Sequence, residues 1–131
     1  LMEGLTSVGV NVISLGTVPT PLALWAEKHL GTEGAIQITG SHNPPEYNGI
    51  KMTLKGGSYF GSSIQGLLRR IQEDDFAEGA GTLIQKDPIP SYISEISAGF
   101  KLARPVRVVV DCGNGVAGVV APALFQAPGA R

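Results

Sequence analysis

The apolar residues of this chain change their spacing several times along its 131 residues, and this constrains the fold most strongly. Val8, Val10 and Val12 alternate, and Ile13 and Leu15 prolong the run to Gly16, the pattern of a buried strand. Val18-Pro19-Thr20-Pro21 then reads as a loop opening a helix, with Thr20 as N-cap and Pro21 at the first helical position. Leu22, Trp25, Ala26 and His29 share one helical face, and Gly31 marks the stop. Residues 35–39 form a short strand, and Ile50, Met52 and Leu54 alternate in another that ends at Gly56-Gly57. Ser63 caps a helix striped by Ile64, Leu67, Leu68 and Ile71, fraying near Glu73-Asp74-Asp75 because those acids oppose the dipole. Gly79-Ala80-Gly81 is flexible punctuation, and Pro88 and Pro90 open a helix carrying Ile93, Ile96 and Phe100. Strands alternating with helices predict an α/β fold, a mixed sheet with flanking helices.

After that helix the composition shifts. Lys101-Leu102-Ala103-Arg104-Pro105 reads as a linker, residues 106–110 as a β-branched strand, and Asp111-Cys112-Gly113-Asn114-Gly115 as a turn into a helix from about Val116. A second α/β domain is therefore expected to start near Arg104, so that residues 1–103 and 104–131 belong to different units.

Composition narrows the function classes. A hydrophobic fraction of 43% is enough for a core, which excludes wholesale disorder. No apolar run reaches the roughly 20 residues that span a bilayer. A net charge of −1 lacks the basic field that neutralises a nucleic-acid backbone, so neither membrane nor nucleic acid is an expected partner. The single cysteine, Cys112, allows no internal disulfide, and the Leu1-Met2-Glu3-Gly4 start has no basic n-region; both fit a cytoplasmic location.

The stretch richest in chemistry is Thr39-Gly40-Ser41-His42-Asn43-Pro44-Pro45-Glu46-Tyr47-Asn48-Gly49-Ile50-Lys51. A strand delivers the Ser41 hydroxyl onto a polar turn, Gly40 leaves the backbone open to a ligand, and two prolines stiffen the bend. His42 and Asn43 add donors beside the hydroxyl, and Lys51 returns a cation from the next strand. The grouping suits an anion, or a serine that itself carries phosphate. Ser, Asn, Pro and Gly clustered between strands are also ordinary turn chemistry. A hydrolase triad fits poorly: the G-x-S-x-G elbow is missing, and an adjacent histidine is poorly placed to set its ring on the preceding hydroxyl.

Residues 39–51 resemble the active-site signature of the α-D-phosphohexomutases, and among them the bacterial phosphomannomutase/phosphoglucomutase group. Val18-Pro19-Thr20-Pro21 and Val108-Val109-Val110-Asp111-Cys112-Gly113-Asn114-Gly115-Val116-Ala117-Gly118 are similar to that group too, in the same order. The resemblance implies an intramolecular phosphotransferase, an isomerase that interconverts hexose 1-phosphate and 6-phosphate. Ser41 would be its phosphoserine, passing phosphate through a glucose 1,6-bisphosphate-type intermediate. His42 would contact the phosphate or a sugar hydroxyl, and Lys51 would act as acid/base or as charge. Mg²⁺ would be held in part by a phosphate oxygen on Ser41, with aspartates from a loop this sequence lacks. Residues 1–103 would be most of the family's first domain, shorn of its opening strand and helix, and 104–131 the start of the second. The parent would be a monomer acting on sugar phosphates, and the piece alone would be inactive and prone to associate through an unpaired sheet edge.

Two other readings compete. Gly113-Asn114-Gly115-Val116-Ala117-Gly118 is a literal G-x-G-x-x-G, which after a strand and before a helix signals an NAD-binding Rossmann unit. The other is a non-catalytic fragment or binding module. His29 and Trp25 read as packing residues, Cys112 as inert, and Arg69-Arg70 with the acids 73–75 as a solvated helix face.

Overall fold

The computed structural model describes residues 1–129. In chain order the elements are α1 (Met2–Ser7), β1 (Val12–Ser14), α2 (Thr20–Leu30), β2 (Gly34–Ile38), β3 (Ile50–Leu54), β4 (Gly57–Ser58), α3 (Ser62–Gln72), β5 (Leu83–Gln85), α4 (Ile89–Ala98), a 3-10 turn (Val116–Val119) and α5 (Ala121–Gln126). They form two sheets. β1 and β5 are parallel, with Val12 opposite Leu83, while β2, β3 and β4 form an antiparallel meander in that spatial order. The fold is α/β with a mixed strand content, as the alternating periods predict.

Most elements lie where the sequence places them, with informative differences. The run from Val8 is strand only at Val12–Ser14, and residues 2–7 before it are helical. α2 begins at Thr20 itself, with Pro19 as the N-cap and no side-chain cap bond, so the fixed φ of proline rather than the Thr20 hydroxyl sets the entry. Gly31 ends it at φ 64°. Gly61, not Ser63, precedes α3. α3 stops at Gln72, the Asp75 carboxylate lies 3.2 Å from Arg70, and Phe100 falls beyond the end of α4. Gly79 and Gly81 are close-approach positions rather than spacers. Gly79 N–H donates to Ser7 and Gly81 N–H to Thr6, so closely that a Cβ on Gly81 would collide with the Val10 backbone.

The largest departure lies in the second region. Residues 106–110 join no ladder, because no strand among the described residues stands beside them to accept the pairing, and Val109 is 99% exposed. The helix expected from Val116 is a four-residue 3-10 turn followed by the short α5. The strand–turn–α-helix that a dinucleotide fingerprint requires is therefore not formed. The final two residues of the expected second unit, Ala130 and Arg131, lie outside the described residues.

The core is small. Val18, Leu22, Ala23 and Val120 are buried together, flanked by Leu15, Ile89, Tyr92, Ile93 and Leu124, so α2 packs against α4 and α5 on one side. Its other side meets β2, and Glu27 clamps it to the meander. That buried carboxylate accepts the Thr53 hydroxyl at 2.5 Å and the Gly56 N–H at 3.2 Å. Trp25 and His29 also join α2 to α4: their rings stack at 4.3 Å, Trp25 meets Tyr92 edge-on, and His29 Nδ1 lies 3.3 Å from Glu95. The packing role expected of both is the one they take.

Candidate functional site: the loop between β2 and β3

The β2–β3 ladder runs from Gly34 opposite Leu54 to Ile38 opposite Ile50, and one further bond closes it, from Thr39 N–H to the Gly49 carbonyl at 2.9 Å. Residues 39–49 are thus a hairpin loop whose base is pinned by paired strands. Two turns build it. Gly40 and Asn43 bracket the first, with Asn43 N–H donating to the Gly40 carbonyl at 3.0 Å, and Pro44 and Tyr47 bracket the second in the same way. The side chains of residues 41–48 are exposed.

Ser41 sits at the first bend with φ 54°, a left-handed conformation that a serine adopts only when its surroundings hold it there. Two contacts hold it. Its N–H donates to Thr39 Oγ1 at 3.0 Å, and the residue before it has no room for a side chain, since a Cβ on Gly40 would come within 2.8 Å of the Tyr47 carbonyl. The missing side chain at Gly40 thus lets the loop's own backbone cross closely. Thr39 is the residue that the sequence reading missed. The threonine-x-serine spacing of an ST turn was its available signal.

The Ser41 hydroxyl faces solvent with His42 Nδ1 at 3.1 Å. The adjacent ring, expected to be poorly placed for the preceding hydroxyl, nonetheless comes within hydrogen-bond distance of it. The left-handed backbone at Ser41 accompanies this approach of neighbouring side chains. In one tautomer the hydroxyl donates to Nδ1, and in the other Nδ1–H donates to the hydroxyl. Lys51 stands on β3 opposite Gln37, exposed, and makes no hydrogen bond or ion pair with Ser41 or His42 among the described residues. The loop thus unites Ser41 with His42 and keeps Lys51 on the adjoining strand. Asn48 caps the loop's return by accepting the Gly49 N–H. No group of three or more His, Cys, Asp or Glu side chains suited to a metal ion occurs among the described residues. The donors present among the described residues do not make up a magnesium site.

The hairpin of this α/β domain thus presents an exposed serine hydroxyl beside an imidazole, with a lysine on the strand that follows. Residues 1–78 match the family described as phosphoglucomutase/phosphomannomutase, alpha/beta/alpha domain I. The chain is 44% identical over 129 residues to a phosphomannomutase/phosphoglucomutase of Pseudomonas aeruginosa, covering 98% of this chain and 28% of that protein. It is 39% identical over 131 residues to a phosphoglucomutase of Neisseria meningitidis, with the same coverage. A crystal structure of a phosphoglucomutase/phosphomannomutase family protein from Burkholderia thailandensis superposes with a TM-score of 0.92 at 43% identity, over 98% of this chain and 30% of that one. The chain belongs to the phosphoglucomutase/phosphomannomutase family, and it spans less than a third of the length of these relatives.

Proposed function

We propose that this chain is the phosphoryl-donor wall of a phosphohexomutase, and that Ser41 is its phosphate carrier. The observation that carries the reading is the Ser41 hydroxyl, held outward at φ 54° with His42 Nδ1 at 3.1 Å. In the forward transfer the bond between Ser41 Oγ and phosphorus breaks, and a bond forms between phosphorus and a hydroxyl of a glucose or mannose phosphate. The acceptor hydroxyl gives up its proton, and Ser41 Oγ takes one. His42 is placed to hold a proton at Nδ1 beside that oxygen. The bisphosphorylated sugar then turns over and returns its other phosphate to Ser41. Lys51 contributes positive charge from β3 toward the phosphate. A bound Mg²⁺ would supply charge neutralisation at the phosphate, held chiefly by residues other than those described. This chain would touch it only through a phosphate oxygen on Ser41. A cytoplasmic location belongs to the same proposal; no helix among the described residues is long and apolar enough to cross a membrane.

The names of the relatives support the family and the sugar-phosphate chemistry, and the loop geometry supports the choice of serine. The test is intact mass of a full-length polypeptide carrying this segment, after incubation with glucose 1,6-bisphosphate. The expected result is one added phosphate, mapped to the peptide containing Ser41. Sugar-phosphate isomerisation without label at Ser41 would overturn the proposal.

A further inference from the structure

One buried ionisable group among the described residues has no part in the chemistry assigned to Ser41. It is the carboxylate of Glu27 on α2, 8% exposed. A carboxylate taken out of water costs free energy unless its oxygens find donors. Both oxygens find one in the meander: Oε2 accepts the Thr53 hydroxyl at 2.5 Å, and Oε1 accepts the Gly56 N–H at 3.2 Å. Thr53 Oγ1 in turn accepts the Ala35 N–H at 3.1 Å, so one hydroxyl joins α2, β3 and β2. Lys55 and Gly56, between β3 and β4, have φ of 52° and 75°. The same carboxylate therefore fixes a left-handed turn that a lysine enters only at a cost.

What this clamp holds is the strand that carries Lys51. Side chains two residues apart on a strand share a face, and so do residues opposite one another in the ladder. Lys51 and Thr53 on β3, with Gln37 and Ala35 opposite them on β2, thus lie on one face, and through Thr53 and Glu27 that face meets α2. Gln37 Nε2, across from Lys51, donates to the Val18 carbonyl at 3.5 Å, in the loop that opens α2. Lys51 is therefore flanked along its strand by the residue that Glu27 holds, and across the ladder by one that the entry of α2 holds. A lysine reaches its target on a flexible four-carbon stem, so what the fold fixes is the place from which it reaches. All of these contacts lie between residues 18 and 56, inside the stretch that matches the family.

We propose that Glu27 is a positioning residue for Lys51. By anchoring Thr53 and the β3–β4 turn to α2, it sets where β3 stands and hence where the Lys51 cation meets the transferring phosphate. Misplacing a group by about 1 Å in a transfer reaction costs up to about a hundredfold in rate. The inference rests on the assignment of Ser41 as phosphate carrier and adds to it a residue that acts only through another.

The test is a double-mutant cycle on a full-length polypeptide carrying this segment. It is read as the single-turnover rate at which phosphate leaves Ser41 for glucose 1-phosphate. Glu27→Ala is expected to slow this transfer about tenfold, with KM for the sugar phosphate changed by less than about twofold. In a Lys51→Met background the same substitution is expected to change the rate by less than about twofold, because the group it positions is gone. Glu27→Gln keeps an acceptor for the Gly56 N–H and an amide that can donate to Thr53 Oγ1, and is expected to retain most of the rate. Thr53→Val breaks the same clamp should Glu27→Ala fail to fold, with the same dependence on Lys51. Circular dichroism at the assay temperature checks that each variant is folded.

Equal slowing in both backgrounds would mark Glu27 as a residue of the fold alone and overturn the inference. So would a transfer rate left unchanged by both clamp variants, or by Lys51→Met. None of these outcomes touches the assignment of Ser41. An unmodified polypeptide that takes up no phosphate at Ser41 overturns that assignment and this inference together.

Discussion

The turns at residues 39–43 and 111–115 share one local grammar and come to different ends. In the first, Thr39 Oγ1 accepts the N–H of Ser41, and the Gly40 carbonyl accepts that of Asn43. In the second, Asp111 Oδ1 accepts the N–H of Gly113, and the Cys112 carbonyl accepts that of Gly115. Ser41 and Gly113 have nearly the same φ, 54° and 55°. Both turns follow an apolar run. Yet the first is mounted between paired strands and its base is closed at Thr39 and Gly49, whereas the second follows a segment with no ladder among the described residues. Turn chemistry is thus local and cheap to specify. A fixed place for a reactive side chain depends on the strands that carry the turn.

The largest expected effect strikes the first turn alone. Ser41→Ala in the full-length polypeptide is expected to abolish phosphate uptake and lower mutase turnover by about a thousandfold or more, read by mass and by coupled assay. The isolated 131-residue chain should have negligible turnover whichever residue stands there. Next comes Lys51→Met, expected to slow single-turnover phosphoryl transfer by about ten- to a hundredfold while changing sugar binding less. An unchanged transfer rate would confine Lys51 to the fold.

Smaller effects test the mounting itself. Glu27→Ala leaves the Thr53 hydroxyl and the Gly56 N–H without their buried acceptor, and is expected to cost about 1–3 kcal/mol in urea unfolding followed by Trp25 fluorescence. Gly40→Ala and Gly113→Ala sharpen the comparison most directly. The first drives a Cβ to 2.8 Å from the Tyr47 carbonyl and should lower both stability and Ser41 labelling. The second meets nothing within 4 Å and should cost only about 1 kcal/mol of left-handed strain, with labelling untouched. Equal losses of labelling would erase the distinction between the two turns.

Much of the first region was legible from residues alone. The alternation of Ile50, Met52 and Leu54, the proline at the head of α2 and the glycine at its end each leave a short-range mark, and each element lies within a residue or two of its reading. The candidate site was legible as a list, Ser41, His42 and Lys51, but not as an arrangement. Thr39 went unnoticed because its contribution is a hydrogen bond to a backbone group. Glu27 did as well, since nothing in a helical stripe reveals that a carboxylate will be covered by a hairpin 26 residues away.

The second region shows the opposite balance. Residues 106–110 have every intrinsic preference of a strand, and they form none. By itself the sequence determined which residues turn, which alternate, and which loop carries the hydroxyl, because such preferences arise from dihedral sterics and from hydrogen bonds a few residues apart. Only the tertiary structure decided which strands pair, that Glu27 is covered by the β3–β4 hairpin, and that the valine run finds no strand partner among the described residues. Pairing and burial depend on what lies across space from a residue, and neighbours distant in the chain leave no local trace.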